Sequence, residues 1–292
     1  MENHSYKAGF SAGAASSKQD TIGLVIPRGV VTTNDPYFSR IITVLNDAFE
    51  QTKFKFKIFT MDQYNSEELV RLYMSNEASA FMIFGLKSID ELWLKLLHDH
   101  KIKFITIFAH FDEITSLACD NVKGGYIVGK YLIETGRKKI AFLHGSPQWI
   151  DSADRYTGLS MALSERGIGY NEGFTREGWF NYFIAEQEIA DLLKTSKQAP
   201  DAIFAANDKM AMGAISAIVA SGRKVPEDIA VIGYDNIGEA ESYDPPITTI
   251  EQPIAAIARD AAEMIIEAVE GNKELSGKNT FYEPRLIIRK SA

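Results

Sequence analysis

Between Thr21 and Asp235, short apolar runs alternate with longer stretches of helical periodicity, and this alternation constrains the fold more than any other feature of the chain. The runs TIGLVIP, FKFKIFTM, AFMIFG, KFITIFA, KKIAFLHG, DAIFAAN and IAVIGYD read as strands. Most are near-continuously apolar, the pattern of parallel strands covered on both faces. Between them, FSRIITVLNDAFEQT places Phe38, Ile41, Ile42, Leu45 and Phe49 on one helical face. SEELVRLYMSNE opens at Ser66, a candidate N-cap followed by acids in the first turn. Further helices are expected to stop at Gly136, Gly167 and Gly222. PIAAIARDAAEMIIEAVEG starts with Pro253 and stops at Gly271, the usual asymmetry of Pro at a helix start and Gly past its end.

Strand–helix alternation predicts an α/β fold, with helices on both faces of parallel sheets. The rhythm is too long for one small sheet, and the break near Cys119 to Asn121 divides it into two Rossmann-like subdomains. Such sheets bind ligands beyond the carboxyl ends of their strands, here at the cleft between subdomains. The chain has 292 residues, enough for two such units. Its net charge of −8 leaves no basic stripe with which to hold DNA unaided. The cluster Arg137, Lys138, Lys139 is too small for that role and reads as a solvated turn. No segment is long and apolar enough to span a membrane. Residues 1–20, rich in Ala, Gly and Ser, lack the apolar run of an export signal and are expected to be flexible. A cytoplasmic protein with no membrane partner is therefore expected. Cys119, beside Leu117 and Ala118, reads as a small buried residue.

Catalytic and cofactor signatures are missing. The first strand is followed by IPRGVVTTNDPYF, without the glycine turn of dinucleotide sites, and no phosphate-cradling loop occurs. There is no C-x-x-C, H-E-x-x-H or G-x-S-x-G, and His4, His98, His100, His110 and His144 are scattered. We therefore expect neither an enzyme, nor a cofactor, nor a metal site. Instead, the strand ends carry polar and aromatic side chains. Asn34, Asp35, Tyr37 and Phe38 follow the first strand. Gln148, Trp149, Asp151 and Arg155 follow IAFLHG. Asn207 and Asp208 follow DAIFAA, Asp235 and Asn236 follow IAVIGY, and REGWFNYF offers Trp179 and Phe180. Rings that stack on C–H faces, beside planar groups that pair with hydroxyls, suit a sugar.

Several of these residues have a plainer reading. Asn207 and Asp208 either cap the next helix or reach the cleft. Trp179 is either a lid or a loop anchor, and one of Tyr37 and Phe38 could be simple core. Asp120 and Asn121 are expected to cap the helix that follows them. Arg155 at a helix start opposes the helix dipole, which favours a ligand role.

The blocks DNVKGGYIVGKYLIETGRKKIAFLHG, APDAIFAANDKMAMGAISAIVASGRKVPEDIAVIGYDN, DPPITTIEQPI and PRLIIRKS resemble, in order and spacing, those of the LacI/GalR family of bacterial transcriptional regulators. The resemblance spans Asp20 to Ser291. It implies a periplasmic-binding-protein-like effector domain over residues 21–292, crossed three times, near Asp120, Glu251 and Glu283. The N-subdomain would comprise about 21–119 plus 252–282, and the C-subdomain about 120–251 plus 283–292. It further implies effector contacts from Arg155, Asn207 and Asp235, with Tyr37, Phe38, Trp149, Asp151 and Trp179 around them. It also implies a homodimer, with the first helix in the interface. The longer loop IPRGVVTTNDPYF is similar to that of members responding to glucosides and other oligosaccharides. The chain departs from the family pattern at Phe108, Ala109 and His110, where many members have an acid, so Phe108 would form an apolar wall. Arg137 replaces a usual His and is expected to be structural. YKAGFSAGAASSKQD reads as a shortened hinge without the helix-turn-helix headpiece. Operator DNA would then be a partner only through a headpiece missing from this chain. The alternative reading is a headpiece-free cytoplasmic sugar-binding protein.

Overall fold

The computed structural model describes residues 20–27, 35–61, 65–85, 91–146, 149–196 and 198–292. Residues 1–19 of the segment read as flexible, together with Asn34 and Gln148, lie outside these described residues. The first elements are β1 (Thr21–Pro27), α1 (Pro36–Glu50), β2 (Lys55–Met61), α2 (Ser66–Met74), β3 (Ala80–Phe84), α3 (Glu91–Asp99), β4 (Lys103–Ile107) and β5 (Ser116–Cys119). There follow α4 (Asn121–Glu134), β6 (Ile140–His144), α5 (Ile150–Glu165), β7 (Thr175–Glu177), α6 (Tyr182–Thr195), β8 (Ala202–Ala205), α7 (Asp208–Ala220), β9 (Ala230–Tyr234), α8 (Gly238–Ser242) and β10 (Thr248–Glu251). The last are α9 (Ile254–Glu270), β11 (Asn279–Tyr282) and β12 (Arg285–Ile287).

Two six-stranded sheets result, in the orders β11-β5-β4-β3-β1-β2 and β12-β10-β9-β8-β6-β7. All pairs are parallel except β12 against β10. This is the pair of parallel-sheet α/β subdomains that the strand–helix rhythm predicts. The chain passes from one sheet to the other after β5, after β10 and after β11. Every residue of β3 is buried. Ile41, Leu45 and Phe49 of α1 join Ile257, Ala261 and Ile265 of α9 in one core of the first subdomain. The isoleucine, leucine and phenylalanine side chains among them contribute roughly 1.5–3 kcal/mol each by leaving water. Ile41, Leu45 and Phe49 are thus buried within their own subdomain, while Ile42 stays partly exposed.

The short strands β5, β7, β10, β11 and β12 are absent from the sequence reading, because so few residues display no period and, unlike β8, they carry no long apolar run. The cap of α2 is Asn65, whose side chain accepts from the backbone N–H groups of Glu67 and Glu68, so the Ser66 reading was one residue late. Gly136, Gly167 and Gly222 have φ of 89°, 65° and 80° just past their helices, where other residues would be strained. Arg137 donates to the carbonyls of Asp201 and Pro226, so it is a structural tie rather than part of a solvated turn. Among the described residues, no helix is long and apolar enough to cross a membrane.

Candidate ligand-binding cleft

The carboxyl ends of both sheets face a cleft enclosing about 770 Å³, mouth included. One side contributes Asp35, Tyr37 and Phe38 from the start of α1, Phe84 from the end of β3 and Phe108 from beyond β4. The other contributes Trp149, Asp151 and Arg155 around the start of α5, Phe180 ahead of α6, Asn207, Asp208 and Lys209 at the start of α7, and Asp235 and Ile237 beyond β9. Gln252, in the second crossover, also lines it.

The aromatic side chains form a continuous wall. Phe84 lies 5.5 Å from Phe38, 5.7 Å from Phe108 and 6.3 Å from Trp149 between ring centroids, and Tyr37 lies 6.0 Å from Phe108. Two glycines make room for it. A Cβ on Gly85 would stand 2.1 Å from the Trp149 ring, and one on Gly145 would stand 2.0 Å from that of Phe180. Phe180 thereby lines the cavity, while its neighbour Trp179 is 48% exposed and does not. The expected Trp179 contact is corrected accordingly: the glycine seat accepts the second ring of the pair.

Arg155 stands in the second turn of α5 rather than at its start, so the dipole argument for it does not apply. Its position is fixed by other means. It is 3% exposed. Its Nε donates to Asn121 Oδ1 at 2.9 Å, Nη1 donates to the carbonyl of Ala206, and the guanidinium lies 3.7 Å from the centroid of the Tyr234 ring. Burial opposes its charge, but Tyr234, Asp235 and Asp151 outweigh that and hold its pKa above the ordinary value. Asn121 was expected to cap α4. Asp120 does so alone, accepting from the N–H of Lys123 at 2.8 Å, and Asn121 holds the arginine instead.

The carboxylates are equally constrained. Asp235, 8% exposed, has φ of 106° and accepts at Oδ1 from Gln252 Nε2 at 2.7 Å. Burial pushes its pKa up to about 7, more than Arg155 and Gln252 pull it down. Burial likewise pushes Asp151 up to about 6, although Arg155 Nη2 lies 3.9 Å away. Asp208 does not cap α7. It accepts from the N–H of Ile237 and from the Thr249 hydroxyl, bracing the ends of β9 and β10, and burial holds its pKa well above the usual carboxylate range. The cap of α7 is Asn207, through its Oδ1, and the residue lines the cavity as well. Asp35 caps α1 with one oxygen and accepts from Lys209 Nζ at 3.2 Å with the other, joining the two sides of the mouth.

His110 forms no part of the cavity lining. It crosses between subdomains and meets Asp154 Oδ2 at 2.8 Å, a bond that raises its pKa. Cys119 is buried, and its thiol is pushed up to about 12. Among the described residues, no three His, Cys, Asp or Glu side chains are grouped as metal ligands. The arrangement offers acceptors, one fixed guanidinium and an apolar wall.

Residues 130–292 match the family model of a periplasmic binding protein-like domain. Over 303 residues the chain is 32% identical to the HTH-type transcriptional repressor PurR of Histophilus somni (strain 129Pt), covering 96% of this chain and 85% of that protein. The structure of a transcriptional regulator CelR–cellobiose complex matches with a TM-score of 0.85 at 26% identity, covering 94% of this chain and 85% of that one. A LacI family transcriptional regulator from Enterococcus faecium with bound ribose matches at 0.79 and 25%, covering 93% and 98%. With its cleft between two parallel-sheet subdomains and these relatives across nearly its whole length, the chain belongs to the LacI family of transcriptional regulators and carries the family's effector-binding core.

Proposed function

We propose that the cleft binds a neutral carbohydrate, a glucoside or short oligosaccharide, as the effector of a homodimeric cytoplasmic regulator. In this reading Asp235 and Asp151 accept from sugar hydroxyls, Arg155 and Asn207 donate to sugar oxygens, and Tyr37, Phe38, Phe108 and Trp149 cover the apolar face. Binding shifts the population toward a closed cleft, and closure alters how a headpiece meets operator DNA. The observation that carries the proposal is the junction of the aromatic wall with the Asp235–Arg155 floor in one cavity. Anionic ligands are disfavoured, because Asp35, Asp151 and Asp235 line the same space. The cellobiose and ribose bound by two structural relatives agree with this class. A thermal-shift screen of cellobiose, other neutral saccharides and sugar phosphates tests it. A saccharide at 100 times its Kd stabilises by about 2.7 kcal/mol. Stabilisation by sugar phosphates but by no neutral saccharide would reject the reading.

A further inference from the structure

Gln252 is a buried amide, 2% exposed, placed where the chain crosses from β10 to α9. Its backbone is held there. Pro253 follows it, and the N–H of Ile254 donates to its carbonyl at 2.8 Å. Its side chain reaches both subdomains. Nε2 donates to Asp235 Oδ1 at 2.7 Å, at the end of β9, and Oε1 accepts from the Tyr37 hydroxyl at 3.4 Å, at the start of α1. The first bond is short. The second is longer than the roughly 2.8 Å that an O–H···O bond prefers. A residue of the covalent crossover thus touches one cleft-lining group on each side.

From this geometry we infer that Gln252 is a positioning residue, which aims Asp235 into the cleft and couples that carboxylate to the angle between the subdomains through Tyr37. The inference rests on the effector reading of the cleft, though not on the ligand being a sugar. Holding Oδ1 leaves Oδ2 to the ligand, since no other hydrogen bond to the Asp235 carboxylate is present among the described residues. Closing the cleft shortens the Tyr37 contact, and opening it breaks that contact. An amide suits the position because it donates to one partner and accepts from the other at every pH. Glutamate would set a second carboxylate against Asp235. Arg155, Asp151 and Asp35 already surround Asp235, with Asp208 behind it, so the balance there depends on each donor.

The test needs no ligand. Carboxyl 13C titration follows Asp235, assigned with Asp235→Asn, in the full chain and in Gln252→Leu and Gln252→Glu. Spin labels at Asp47→Cys and Lys194→Cys, exposed positions on opposite subdomains, report the distribution of cleft openings. Both variants are expected to raise the Asp235 midpoint by about one pH unit or more, through loss of a donor to the ionised form. Both should broaden the distance distribution toward longer values. If Gln252→Leu does not fold, Tyr37→Phe, which deletes one hydroxyl, must give the same broadening. An unchanged midpoint or an unchanged distribution overturns the inference. Titration with cellobiose separates this from the carbohydrate reading. Wild-type protein that ignores cellobiose and other saccharides while both shifts occur rejects the sugar and retains the positioning role.

Discussion

A carboxylate taken out of water keeps its charge only where donors replace the lost hydration, and among the described residues Asp235 has one such bond. Its pKa near 7 makes the ligand-free cleft pH-dependent. The unfolded chain has an aspartate pKa of about 3.9. The folded value is raised, so this group's contribution to stability is complete below about pH 4 and is lost as pH rises through about 7. Asp151, near 6, acts with the same sign. Asp235→Asn should therefore melt above wild type at pH 8 and level with it at pH 4. Asp235→Ala should weaken the effector about ten- to a hundredfold, since a lost buried hydrogen bond costs roughly 1–3 kcal/mol. Calorimetric titration with melting curves checks both, and a lowered melting point with unchanged affinity would return Asp235 to the role of a turn residue. Asp235 was legible because an apolar strand ending in an acid poses a question. Asn121 and Gln252 were not, because each sits among residues whose ordinary role, helix cap or loop polarity, is explanation enough. REGWFNYF offers Trp179 and Phe180, and the family resemblance points to Trp179, whereas the location of Gly145 seats Phe180.

Helix pairing sets where Arg155 stands. α4 and α5 approach so closely that a Cβ on Gly158 would lie 1.9 Å from the carbonyl of Val122, and one on Gly125 would lie 1.9 Å from that of Arg155 itself. Gly158→Ala must push the helices apart. We expect a loss of about 1–3 kcal/mol in denaturant unfolding, as for other overpacked sites, together with weaker effector binding as the guanidinium moves. Full stability with full affinity would show that the crossing has slack. Most of the long helices were legible at this scale because their apolar period repeats, and β1 to β4, β6, β8 and β9 because they carry apolar runs, whereas α6 was passed over. The edge strands were not, since their place depends on partners distant in sequence: β11 lies on β5, and β12 on β10. Helix ends marked by glycine were easier to place than starts, because positive φ narrows the choice of residue while Asn65 and Ser66 serve about equally well as caps.

Among the described residues, two ion pairs tie the subdomains together, Lys209 with Asp35 and His110 with Asp154. The bond to Asp154 raises the pKa of His110 above 6.5, so this tie is intact below that pH and is lost as pH rises through the raised value. Partial exposure to solvent limits its worth to about 1 kcal/mol or less. The difference in melting temperature between wild type and His110→Gln should accordingly shrink from pH 6 to pH 9, and a constant difference would mean that the pair carries no charge. Large apolar side chains remain open on a lone copy, among them Ile288, Val219 and Phe281. In keeping with the regulators it resembles, the chain should sediment as a dimer at micromolar concentration, and a monomer throughout that range would contradict the proposed regulator. The triple crossover also bears on how the molecule is made. The first sheet takes strands from Thr21 to Tyr282, and its core includes α9, while the second begins only at Ile140 and takes its last strand at Arg285–Ile287. A chain leaving the ribosome therefore cannot finish its first half and then begin its second. β5 must wait, buried in the finished molecule yet unpaired at one edge, until its partner β11 has been synthesised, so both halves become native together and late.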